Sequence, residues 1–218
     1  MTKSKLVLTL IGFSLIAVTS RADRREEVLA EMAKAGDSLK TLTADFEQTD
    51  HDHILGDQEV STGELYLSVP GRIRWEYAPP RERVLVVKDE LVRLYNPTAN
   101  QVHEFRQGSG KGKTGGADLL IGFGKSNEKI GETYDVTLVE ETNEAVVLSL
   151  VPKPDASSLF TKIELTVDKK TWRPVRSVFH EPNRDRTDVQ FENMVANGSL
   201  PSGVFELKLP ANVEIIRN

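Results

Sequence analysis

Residues 70–80 read PGRIRWEYAPP. Between the flanking prolines the side chains alternate. Ile73, Trp75 and Tyr77 fall on one side of an extended chain, and Arg72, Arg74 and Glu76 fall on the other, because successive residues of a strand point to opposite faces. The polar side suits water. The aromatic side suits either an ordinary core or one wall of a site for an apolar ligand, and periodicity alone leaves both open.

The same period runs outward from this stretch. Upstream are Leu42–Gln48, which contains Phe46, and Gly63–Val69, with Leu65, Leu67 and Val69 on one face. Downstream, Arg83–Val87 is apolar on both faces, and Leu91–Tyr95 and Gln101–Arg106 flank the turn NPTAN. Six further runs follow: Tyr134–Glu140, Ala145–Val151, Leu159–Val167, Val175–His180, Thr187–Met194 and Phe205–Leu209. Turn-forming segments such as EETNEA, EPNRDR and ANGSLPSG separate them. About a dozen strands with hairpin-length connections predict an antiparallel meander. Such a chain is too long for a small sandwich and closes as a strongly curved sheet or barrel. The expected class is mostly β with a few helices.

Two segments break the rhythm. Residues 24–40 place Val28, Leu29, Met32, Ala35 and Leu39 on one helical stripe, with Gly36 fraying the last turn. Residues 108–116, GSGKGKTGG, are flexible and basic, and 117–124 read as a short helix with Leu119, Leu120, Ile121 and Phe123. A helix apolar on most of its circumference has to be covered, so it is expected to plug or cap the concave side of the sheet.

The N-terminus reads as a secretory leader. Lys3 and Lys5 precede the apolar run Leu6–Val18, and Ser20-Arg21-Ala22 is a small-x-small cleavage site. Residues 1–22 are expected to be removed, leaving 23–218 as one domain. Losing Lys3, Lys5 and Arg21 leaves 25 of the 28 basic residues against 33 acidic ones, a net charge of −8. That balance excludes nucleic acid as the natural partner. Cysteine is absent, so stability rests on an ordinary core and no acceptor for a lipid anchor follows the leader. A released, soluble protein of the bacterial periplasm is the expectation.

Catalytic patterns find little foothold. A phosphate loop ending at Gly112-Lys113-Thr114 requires a glycine at 107, where Gln107 stands. His51 and His53, with Asp52 and Asp57 nearby, suit zinc or copper in donor type, but His103 and His180 are remote and the ligand set is incomplete; a polar hairpin turn is the expected reading. No G-x-S-x-G elbow exists, Ser157-Ser158 sits in a turn, and Glu140, Glu141 and Glu144 cluster in a hairpin tip. No catalytic residue, metal or cofactor is assigned. What remains is apolar surface: Ile73, Trp75 and Tyr77, with Leu65, Leu67 and Leu94, would line the concave face of a curved sheet.

LTADFEQ (42–48), GELYLSVPGRIRWEYAPP (63–80) and LVRLYNP (91–97), followed in order by DLLIG (118–122), LVPKPDASSLFTKIELTVD (150–168) and FELKLPANVEII (205–216), resemble the periplasmic outer-membrane lipoprotein carrier family, LolA. The resemblance covers essentially all of the chain after the leader. It implies an unclosed β-barrel with a helical lid in its mouth, formed here by Val28, Leu29 and Met32 and by Leu119, Leu120, Ile121 and Phe123. The cavity holds the acyl chains of lipoproteins released by an inner-membrane transporter and delivers them to an outer-membrane receptor. The carrier is a monomer and consumes no nucleotide. The family places an arginine that latches the lid immediately before the strand-ending proline; this chain has Val69 there. Arg72 or Arg74 are the candidate substitutes. An exported module that senses lipids or lipoproteins on the same scaffold is the alternative, and the length of the chain, which leaves no room for a second domain, argues against it.

Overall fold

The computed structural model describes residues 21–89, 91–106, 122–123, 130–156 and 158–217. Helix α1 spans Arg21–Asp37. Strands β1 Thr41–His51, β2 Gln58–Ser68, β3 Arg72–Tyr77, β4 Arg83–Lys88, β5 Leu91–Asn96 and β6 Gln101–Arg106 follow. A single-turn helix, α2, covers Ile130–Thr133 and leads into β7 Tyr134–Glu141, β8 Ala145–Pro152, β9 Lys162–Asp168, β10 Arg173–His180, β11 Arg186–Ala196 and β12 Glu214–Arg217. The strands form one sheet in the order β12-β6-β5-β4-β3-β2-β1-β11-β10-β9-β8-β7. It ends on β12 and β7, so it is not closed.

Period two in the sequence becomes alternation in burial. In β3, Ile73, Trp75 and Tyr77 are buried while Arg72 is exposed; in β9, Ile163, Leu165 and Val167 are buried and their neighbours are not. Each fully buried side chain of this size contributes about 1.5–3 kcal/mol. The two halves of the meander are joined by pairing β1 with β11, which puts Phe46 opposite Phe191. Register slips by one residue within the pairs β1–β11, β9–β10 and β7–β8. These bulges bend and twist the strands, and all three lie in the half of the sheet over which α1 packs.

Helix α1 begins three residues before the sequence reading, at Arg21, and ends three before it, at Asp37. Residues 38–40 instead turn into β1, the Ser38 hydroxyl donating to the Ala35 carbonyl at 2.9 Å. Val28 and Met32 are completely buried in the core shared with the sheet. The helix is pinned at both ends. Near its start, Arg24 Nη2 lies 2.7 Å from Glu141 Oε1, which Lys169 Nζ also meets at 2.7 Å. Near its end, Arg173 Nη2 donates to the Ala35 carbonyl at 3.4 Å.

The C-terminal region differs from the expected strand Phe205–Leu209. Turn hydrogen bonds, Val204 N to Pro201 O and Glu206 N to Gly203 O, organise it. Its half-buried apolar residues lie across the convex back of the sheet, sharing a cleft with Tyr66, Arg74, Glu76, Val84 and Tyr95. The prolines at 201 and 210 remove ladder donors, and the last strand forms only after them, as β12, parallel to β6. The back is therefore less solvated than alternation suggested. The Arg74 side chain is 15% exposed, paired to Glu76 at 2.6 Å and donating to the Val204 carbonyl at 3.4 Å.

Two consequences are measurable. Gly63 lies in register between Phe46 and Tyr77, and a Cβ there would meet the Phe46 ring at 2.7 Å and the Glu76 carbonyl oxygen at 2.0 Å. Gly63→Ala is expected to destabilise the protein by about 1–3 kcal/mol, read from the urea midpoint. Glu141, held by hydrogen bonds to Arg24 and Lys169, is pushed down from 4.5 to about 2. Its folded value lies below its unfolded one, so its contribution is complete above pH 4.5 and is lost as pH falls toward 2. Glu141→Gln is expected to loosen α1 at neutral pH and to flatten the acid-induced loss of stability in that window, followed by hydrogen exchange of α1 amides.

Candidate functional site

Strand pairing assembles the concave face in rows. Leu42, Leu67, Ile73, Val87, Val92 and Phe105 stand side by side across six strands. The next row is Ala44, Leu65, Trp75, Leu85, Leu94 and His103. The third is Phe46, Gly63, Tyr77 and Arg83. The six side chains assigned from sequence to a concave wall therefore do share one face. Leu65, Leu67, Ile73, Trp75 and Tyr77 are buried in the core. Leu94 is half-buried at the β4–β6 wing, over which no described helix packs.

Aromatic contacts run across this face. Phe46 meets Trp75 at 4.8 Å between ring centroids and Tyr77 edge-on at 5.0 Å, across the gap left by Gly63. Trp75 meets Phe191 at 6.0 Å, and Phe191 meets Phe123 at 5.1 Å, both edge-to-face. Such pairs are worth about 0.5–1.5 kcal/mol beyond their area. Phe46 and Phe191 belong to the site and were not singled out from sequence. The sequence placed Phe46 in the strand 42–48 without a facing, and its partner lies 145 positions away, so only tertiary pairing joins them.

Of the lid residues, Val28 and Met32 are fully buried and Leu29 packs at the edge of the core. Phe123 is 5% exposed against Phe191. Leu119, Leu120 and Ile121 lie outside the described residues, as do the glycine-rich stretch 108–116, Gln107 and Ser157. Val28, Met32 and Phe123 are buried in one core with the residues of the concave face. Along the other flank of α1 a cleft of about 650 Å³ opens toward α2 and β7, with Leu29, Ala30 and Ala33 on one wall and Tyr134 and Val136 on the other.

Neither candidate latch faces the lid. Arg72 is exposed, on the convex face that also carries Arg74. Val69 packs against the edge of the core, its amide donating to the Lys40 carbonyl at 2.8 Å. Arg173 reaches α1 at the Ala35 carbonyl and also donates to the Thr171 carbonyl, and burial pushes its pKa down.

The polar groups of the concave face divide into satisfied and unsatisfied. Tyr77 Oη donates to Gln48 Oε1 at 2.7 Å, Gln48 Nε2 donates to Asp50 at 2.8 Å, and Thr187 also donates to Asp50 at 2.8 Å. Burial raises the Tyr77 pKa, which keeps that donor neutral. In contrast, Trp75 Nε1, Ser61 Oγ and Ser177 Oγ are buried with no hydrogen-bond partner among the described residues. A buried donor left unpaired costs about 1–3 kcal/mol.

The other sequence candidates are dispersed. His51 lies against Arg186 at 2.9 Å and His53 against Arg184 at 3.5 Å, at the β1–β2 hairpin end. His103 is on the β6 wing, and His180 lies 3.5 Å from Glu164. Among the described residues no group of three or more such side chains is placed to hold a metal ion. Glu141 is committed to Arg24 and Lys169. No described helix is long and apolar enough to cross a membrane.

Comparison with known proteins agrees with this geometry. A family model described as outer membrane lipoprotein carrier protein LolA matches residues 37–208. The outer-membrane lipoprotein carrier proteins of Azotobacter vinelandii and Pseudomonas syringae pv. syringae are 28% and 26% identical over 213 and 212 residues, covering 97% of both chains in each pair. Among solved structures, an uncharacterized conserved protein from Thermus thermophilus superposes with a TM-score of 0.57 at 17% identity, covering 89% of this chain and 99% of that one. A chain in the complex structure of Pseudomonas aeruginosa MucA/MucB superposes with a TM-score of 0.52 at 17% identity, covering 85% and 61%. The structures speak to the fold; the family match, spanning the curved sheet from its first strand to the C-terminal segment on its back, shows that the chain belongs to the LolA outer membrane lipoprotein carrier family.

Proposed function

We propose that this protein is a periplasmic carrier that shelters the acyl chains of lipoproteins in the concave face of its sheet. In this reading it is exported through the leader at residues 1–22, leaving one domain at 23–218. It takes its cargo from an inner-membrane releasing transporter and passes it to an outer-membrane receptor. The observation that carries the proposal is the wall of Leu65, Leu67, Ile73, Trp75 and Tyr77, with Phe46 and Phe191, covered by Val28, Met32 and Phe123. A large apolar concavity on an acidic chain suits an uncharged apolar ligand, and the family supports acylated cargo.

The physics of such a carrier is a competition. Each CH₂ removed from water stabilises the bound state by about 0.8 kcal/mol, so an open cavity would hold a long acyl chain too tightly to release it. A helix that fills the same face opposes binding by its own burial, and net affinity becomes the difference between the two. In this reading acyl chains enter beside Leu29, where a cleft that also carries Arg25, Glu26, Glu132, Asp135 and Lys153 flanks α1.

Protein beginning at Asp23 is expected to take up an environment-sensitive acyl probe and to co-purify with acylated protein. Trp75→Asp should abolish uptake, whereas Arg74→Ala, on the opposite face, should retain it. Normal uptake by a folded Trp75→Asp variant would remove the concave face from consideration. Met32→Ala, which weakens the covered state by about 2–5 kcal/mol, should raise probe affinity at least tenfold, read by fluorescence titration. Unchanged affinity would end the competition mechanism.

A further inference from the structure

Trp75 is 1% exposed, Ser61 6% and Ser177 0%. Strand alternation turns all three toward the concave face. Ser61 stands in register with Gln48 on β1, and Ser177 stands between Val189 and Leu165. Their donor atoms have no partner among the described residues, although the neighbouring Tyr77 and Gln48 are fully engaged. A wall selected only to hold hydrocarbon has no use for these donors, since a phenylalanine or alanine would fill the same space without a desolvated polar atom. The arrangement is the one expected where a ligand supplies the missing acceptor.

We propose that the concave face recognises the carbonyl oxygen of an ester- or amide-linked acyl chain, with the Trp75 indole N–H as the donor. This rests on the carrier reading and deepens it: the site selects acyl linkages over bare hydrocarbon. A neutral acceptor matches a neutral donor. Arg83, on the same face, lies over the Tyr77 ring, its Cζ 4.0 Å from the centroid, and an ionised carboxylate buried beside Trp75 is disfavoured by desolvation. The selectivity also explains why a tryptophan stands among phenylalanines here, its ring packing against Phe46 and Phe191 while its N–H has no partner among the described residues.

The test uses protein beginning at Asp23 and three ligands of similar chain length: methyl decanoate, undecane and ionised decanoate. Each competes against an environment-sensitive fluorescent probe. The expected result is a preference for the ester over the alkane of about five- to tenfold, as one net hydrogen bond gives, with decanoate weakest. Trp75→Phe should bring the ester-to-alkane ratio close to one. Independently of any variant, the carbonyl stretch of carbonyl-labelled methyl decanoate should shift to lower frequency when bound, relative to the ester in alkane. Equal affinity for ester and alkane, a preference that survives Trp75→Phe, tightest binding of decanoate, or an unshifted carbonyl stretch would each overturn the assignment and leave the carrier reading standing. Failure to take up any of the three would overturn both.

Discussion

An unclosed sheet with an apolar concave face has to bury that face against something. Here Val28 and Met32 of α1 do so, together with Phe123. Most of the other features follow from that requirement. The bulges between β1 and β11, β9 and β10, and β7 and β8 lie where α1 packs. Charged anchors at Glu141 and Arg173 hold the helix across the face from its two ends. The row of Leu42, Leu67, Ile73, Val87 and Val92 is buried in the same core as Val28 and Met32. The convex side solves a smaller version of the same problem: the C-terminal segment lies over it, with Val86 and Val102 buried outside the main core.

A cover that is part of the same chain is held by modest forces. Its polar anchors are partly exposed, and exposed ion pairs contribute little. The apolar contacts of α1 contribute more, and they are interchangeable with the contacts an acyl chain would make. A helix held mainly by such contacts can be displaced by a ligand of the same chemistry without disturbing the strand ladder beneath it. The charged contacts of α1 lie at its two ends, at Arg24 and Arg173, and Arg72 and Arg74 lie on the convex face.

Strand positions were largely legible because period two survives in nearly every run; β3 and β6 match the sequence reading at both ends. Where legibility failed, a competing force acted. Phe205–Leu209 alternates as a strand does, yet prolines and turns made it a covering segment whose apolar residues face the back of the sheet. Leu39 fits the helical stripe of α1 but follows its end, because the chain turns there to enter β1. Arg74 reads as solvated from its own strand and is covered by residues 130 positions further on. Strand register puts Leu65, Leu67, Ile73, Trp75, Tyr77 and Leu94 on one face, whereas the meeting of Phe46 and Phe191 depended on a contact between the chain's two halves.

The sequence by itself determined the strand-rich meander, the shared face of Leu65, Leu67, Ile73, Trp75 and Tyr77, and the family, because alternation and ordered motifs are local properties. Tertiary structure alone decided that β1 pairs with β11, that the sheet stays open between β12 and β7, that α1 packs into the core of the concavity, and that Trp75, Ser61 and Ser177 face it without partners among the described residues. Those outcomes depend on which distant residues exclude water from one another, and burial between distant segments has no period that a linear pattern can carry.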